Sequence, residues 1–112
     1  MHELSVTESI LEIAIRHAQQ SKAARVINLY LVIGQLSSIL DDSVQFYWDM
    51  ISKDTIAEGA KLHFQRIPAR LVCQDCQTEY TPAGDLTCPN CHGSHVRVTA
   101  GNEFRLDSID VE

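Results

Sequence analysis

The sequence predicts an α+β fold: two helices packed on a small, mainly antiparallel sheet, with an inserted zinc-ribbon-like module. Three observations predict it. Apolar residues recur at helical spacing over residues 4–20 and again from about residue 41. Runs rich in β-branched and aliphatic residues, with near alternation, cover 25–34, 61–72 and 103–112. All four cysteines fall between the last two runs, as two Cys-x-x-Cys pairs.

The first helix is predicted over residues 4–20. Leu4, Leu11, Ile15 and Ala18, with Ile10 and Ala14 beside them, form its apolar stripe, and Ser5-Val6-Thr7-Glu8 has capping-box form. Arg25 to Gly34 reads as a strand, with Val26, Asn28, Tyr30 and Val32 on one face and Ile27, Leu29, Leu31 and Ile33 on the other. Residues 35–40 make a loop or a short strand. Asp42-Ser43-Val44-Gln45 again has capping-box form and opens a second helix. Val44, Tyr47, Trp48 and Ile51 form its core stripe, with Phe46 and Met50 beside it. Residues 61–72 alternate through Leu62 and Phe64 and shift register at Ile67-Pro68, as a strand with a break. His95 to Thr99 and Glu103 to Glu112 supply the closing strands. The expected domains are therefore residues 1–69 with 97–112, and an inserted module at 70–96.

Composition narrows the function classes. A chain of 112 residues holds one core plus a metal-stapled appendage. A net charge of -6 argues against nucleic-acid binding, which needs clustered Lys and Arg to displace counterions. The longest apolar run, Val26 to Ile33, is interrupted by Asn28 and too short to span a bilayer. Met1-His2-Glu3 opens the chain with no basic, signal-like segment, so the expected location is the cytoplasm, away from membranes.

The segment Cys73 to Cys91 carries the most specific chemistry. Cys73 pairs with Cys76 and Cys88 with Cys91, and eleven residues separate the pairs. Each Cys-x-x-Cys turn points two sulfurs at one spot, and two facing turns make a tetrahedral thiolate cage suited to Zn2+. Pro89 within the second pair and Gly84 at the tip fit tight turns. Two disulfides would require an oxidising compartment, and a redox-active pair would leave the other pair idle. Zinc leaves no cysteine unexplained. His92 and His95 lie beside the cage, either as titratable neighbours or as ordinary solvated residues.

Enzyme signatures are missing. There is no phosphate-binding Gly-rich loop, no Gly-x-Ser-x-Gly elbow and no His-Glu-x-x-His. The N-terminus offers a different chemistry. The Met1 α-amine, the intervening backbone amide and the His2 imidazole form consecutive nitrogen donors, with a fourth available from Glu3. Square-planar nitrogen coordination selects Ni2+ or Cu2+ over Zn2+ or Mg2+. A histidine at position 2 is equally compatible with an ordinary surface residue, so the residues alone leave both readings open. A zinc-ribbon adaptor that binds protein or nucleic acid and ignores nickel is the alternative function.

Several motifs together resemble one family. Met1-His2-Glu3-Leu4, Gly34-Gln35-Leu36-Ser37, Ala57-Glu58-Gly59-Ala60, Cys88-Pro89-Asn90-Cys91-His92-Gly93 and the closing Ile109-Asp110-Val111-Glu112 look like those of the HypA/HybF hydrogenase nickel-incorporation proteins. Gln35 is a departure, standing where the family often has Glu. The resemblance implies a metallochaperone and not an enzyme. It implies transient Ni2+ at Met1, His2 and Glu3, structural Zn2+ at Cys73, Cys76, Cys88 and Cys91, and insertion of nickel into nickel–iron hydrogenase, in some bacteria also urease. The implied partners are a HypB-type GTPase and the hydrogenase large subunit, with the chain itself a monomer or homodimer.

Overall fold

The computed structural model describes residues 3–112. Along the chain run α1 (Glu3–Gln20), β1 (Val26–Gly34), α2 (Asp41–Ile51), β2 (Lys61–Ile67), β3 (Arg70–Cys73), β4 (Glu79–Tyr80), β5 (Val96–Ala100) and β6 (Phe104–Val111). The chain divides into two compact units.

The first unit takes the chain up to Val32, Ser38–Gln65 and Arg105–Glu112. Its sheet has the order β2-β1-β6. Glu112 and Arg25 exchange backbone hydrogen bonds of 3.0 and 3.2 Å, so the start of β1 meets the end of β6 and the two run antiparallel. β2 takes the other side of β1. Its His63 lies beside Asn28 and Tyr30, and the Ile67 carbonyl accepts from the Gln35 N–H. These contacts advance in the same direction along both strands, so β1 and β2 are parallel and α2 is their crossover. Ile10, Ala14 and Ala18 of α1, Val44 and Trp48 of α2, and Leu29 and Leu31 of β1 are all buried. Small alanines on α1 permit its close packing against α2.

Helix ends depart from the sequence reading. α1 already starts at Glu3, which puts Ser5 inside the helix. At α2 the N-cap is Leu40, with no side-chain cap hydrogen bond, so the expected capping box at Asp42 does not form. α1 closes as a Schellman motif: Lys22, at φ 58°, bonds to the Gln19 carbonyl and the Ala23 N–H bonds to the Ala18 carbonyl.

The second unit takes Ile33–Ser37 and Arg66–Phe104. Here β3 is central, antiparallel to β4 on one side and β5 on the other, with Leu71 opposite both Tyr80 and Val98. Ala69, Leu71, Cys73, Tyr80 and Cys88 form a small buried core, packed by Val96 and Val98. Gly34 and Gly101 touch closely; a Cβ at Gly34 would lie 2.1 Å from the Gly101 carbonyl carbon.

The cysteine-bearing segment therefore has a sheet of its own. The run 61–72, read as one broken strand, divides at Pro68-Ala69 into β2 and β3, which belong to different sheets. The compact unit also takes in more chain than the 70–96 expected, because β5 and the 33–37 loop hydrogen-bond into it.

Candidate metal centre

The two Cys-x-x-Cys turns are built alike. The Cys73 N–H donates to the Thr78 carbonyl at 2.9 Å, and the Gln77 N–H donates to the Cys73 carbonyl at 2.8 Å. The second turn repeats this, with Cys88 N–H on the Gly93 carbonyl and His92 N–H on the Cys88 carbonyl, both 2.9 Å. Gln77 and His92, each four residues after the first cysteine, are left-handed at φ 64° and 60°. That backbone form closes each loop and turns both sulfurs inward.

The turns face one another. All four Sγ atoms lie within 4.8 Å of each other. Cys73 is 3.5 Å from Cys91, and Cys76 is 3.6 Å from Cys88, so each contact joins one turn to the other. A tetrahedron with Zn–S bonds of about 2.3 Å has sulfur–sulfur edges of about 3.8 Å. The observed separations fit that cage, and four soft sulfur donors are the set zinc favours.

Sulfur protonation is divided unequally. The Cys76 thiol is brought down to about 6, first by the Thr78 hydroxyl and then by the Asn90 side-chain amide. Those groups lie 3.2 and 3.6 Å from its sulfur. The Gly93 backbone acts to lower Cys91, but hydrogen bonding with Cys73, burial and the remaining sulfurs push it up to about 12. Four thiolates in so small a space repel, and a divalent cation is what lets all of them ionise. Asn90 also donates its backbone N–H to Cys88 at 3.4 Å. Thr78 and Asn90 thus orient the donor set, a role spacing alone had not marked. Only the placement of Asn90 inside the second Cys-x-x-Cys pair could have hinted at it.

His92 and His95 stay outside the cage. The metal-competent group among the described residues is the four cysteines. His95 instead meets Asp75 at 3.3 Å, with both side chains exposed. His92 contributes its left-handed backbone.

A family model described as hydrogenase/urease nickel incorporation, metallochaperone, HypA matches residues 1–111. The chain belongs to the HypA family. The hydrogenase maturation factor HypA of Dehalococcoides mccartyi is 43% identical over 114 residues, covering 100% of this chain and 95% of that protein. The hydrogenase maturation factor HybF of Salmonella typhimurium is 40% identical over 113 residues, with both chains covered completely. The solution structure of the Ni metallochaperone HypA from Helicobacter pylori superimposes with a TM-score of 0.68 at 25% identity, covering 99% of this chain and 97% of that one. A second HypA solution structure gives a TM-score of 0.75 at 26% identity, covering 100% and 97%. The α+β reading with two cysteine turns is thus the HypA architecture.

Of the expected HypA nickel residues, Met1 and His2 lie outside the described residues. Glu3 is the first residue of α1, half-buried, and its carbonyl accepts the Thr7 hydroxyl at 2.6 Å.

Proposed function

We propose that this member of the nickel-incorporation family carries Ni2+ on its N-terminus and hands it to nickel–iron hydrogenase during maturation. The whole-chain family match is the observation that carries this reading. The Met1 amine, the backbone amide, the His2 imidazole and Glu3 supply a nitrogen-rich set that suits Ni2+. Loading displaces protons from the ammonium, the amide and the protonated imidazole, so affinity falls as pH drops through the imidazole range.

A delivery site must also release its cargo. Donors at a chain terminus can be exchanged one at a time for those of an acceptor protein, which a closed cage resists. Divalent-metal affinities rise from nickel to copper, so selectivity rests on geometry and supply.

Cys73, Cys76, Cys88 and Cys91 are the residues that would hold structural zinc; bound there, it supplies folding free energy and no reaction. The small second core, with few large apolar side chains, supports a structural role for that metal. The protein works as a carrier and not as an enzyme, in the cytoplasm, with a HypB-type GTPase and the hydrogenase large subunit as partners. Urease is a second client for the same cargo.

Complementation tests the reading. A host lacking its own family member should regain nickel-dependent hydrogenase activity with the wild-type chain and not with His2→Ala. Full recovery by His2→Ala would contradict delivery from the terminus.

A further inference from the structure

Phe46 and Met50 sit four residues apart on α2, one helical turn, and are 62% and 54% exposed. The sequence placed both beside the core. The core face of α2 is instead taken by Val44 and Trp48, at 0% and 1% exposure, so the fold does not need the other two buried. Leu40, 58% exposed, precedes the helix. Phe46 is not loose: its ring meets the half-buried Tyr47 edge-on, with centroids 5.4 Å apart and planes at 73°. An aromatic held in place but uncovered, beside an adaptable methionine, has the make-up of a binding hot spot.

Charge says what covers it. The exposed residues flanking this pair on the helix are Asp42 and Asp49, and α2 contains no lysine or arginine. Asp42 lies in the first turn, where a carboxylate stabilises the helix. Asp49 is near the C-terminal end, where the helix dipole disfavours an anion. One turn back, the Gln45 side-chain amide donates to the Asp49 carboxylate at 2.9 Å, which helps the helix hold this anion while leaving it exposed beside Phe46 and Met50. A second copy is a poor occupant, because two-fold pairing of this face would set carboxylates against carboxylates.

We infer that the outer face of α2, centred on Phe46 and Met50 and flanked by Asp42 and Asp49, docks a protein segment presenting apolar side chains between lysines or arginines. The apolar pair supplies affinity, and the carboxylates set orientation and encounter rate. This proposal is independent of the nickel reading and can stand if that reading fails.

The test uses the full zinc-loaded chain and two synthetic amphipathic helical peptides. One is built of leucine and lysine, and the other has each lysine replaced by glutamate. Amide shifts in the protein are followed by NMR at low and high salt. The leucine–lysine peptide should saturate shifts centred on α2, weakened by salt, while the glutamate peptide leaves them unmoved. Phe46→Ser with Met50→Ser should weaken binding roughly tenfold or more. Asp42→Asn with Asp49→Asn should weaken it less and flatten its salt dependence. Glu8→Gln with Glu12→Gln on α1 should leave it unchanged. These side chains are exposed, so the variants should keep the wild-type spectrum, which is checked first. Shifts spread evenly over the acidic surface would overturn the proposal. So would unchanged affinity in the Phe46/Met50 variant, or α2 shifts that grow with protein concentration alone.

Discussion

The side-chain carbonyl of Gln35 accepts the backbone N–H of Ala69 at 2.8 Å. Ala69 is fully buried, and its N–H falls in the gap between β2 and β3, where no strand partner receives it. Gln35 therefore fills an acceptor position that a glutamate carboxylate could fill equally well. Gln35→Glu should leave stability within about 0.5 kcal/mol of wild type, and Gln35→Ala should cost about 1–2 kcal/mol by stranding that N–H. Urea denaturation of the zinc-loaded protein checks both. Equal stability of all three chains would show that water takes over the bond.

The approach of Gly34 to Gly101 makes a sharper prediction. A Cβ at Gly101 would meet the Ala69 Cα at 2.5 Å, and its φ of 106° is unfavourable for any L side chain. Backbone stands on the other side of each clash, so nothing can swing away. Gly101→Ala should destabilise the second unit by more than about 4 kcal/mol, with loss of its dispersed amide resonances. A native-like spectrum would mean that the backbone yields more easily than its packing implies.

Much of this was legible in the chain, and the misses have physical causes. α1, β1 and α2 have long periodic patterns, and the cysteine spacing carries its own geometry. The split at Pro68-Ala69 was visible as a register shift, but no pattern says that two halves of one run enter different sheets. β4, with only Glu79 and Tyr80, is too short to show any period. Phe46 and Met50 were misplaced because apolar residues occupy much of the α2 circumference, and hydropathy alone does not choose the buried arc. Asn90 and Thr78 act through hydrogen bonds to sulfur, which leave no periodic trace.

Metal removal should act unevenly along the chain. The second unit's core is small and includes two of the cysteines themselves. Chelation, or Cys73→Ala, should abolish stoichiometric zinc and collapse the resonances of residues 70–96, while the helical far-UV signal of α1 and α2 largely persists. Stoichiometric zinc in Cys73→Ala would refute a four-thiolate site.

Tyr30 gives a pH prediction. Its hydroxyl donates to Asp110 at 2.7 Å. That hydrogen bond, then burial, then the Asp110 charge hold its pKa above the ordinary 10.0. The folded chain thus keeps a proton that the unfolded chain gives up sooner. The resulting stability is fully present below pH 10 and is lost as pH rises through the raised value. Asp110→Asn should bring the Tyr30 ring resonances, followed by NMR titration, back toward the ordinary range. An unmoved midpoint would remove Asp110 as the cause.

Nickel at the terminus is the central claim, and calorimetric titration of the zinc-loaded chain with Ni2+ tests it most directly. Wild type should bind one Ni2+ per chain, with affinity falling as pH drops through the imidazole range. His2→Ala, or acetylation of the Met1 amine, should weaken binding by roughly a hundredfold or more, since each removes a first-sphere nitrogen. Unchanged affinity in both would contradict the account, because the nickel would then be held somewhere other than the N-terminus.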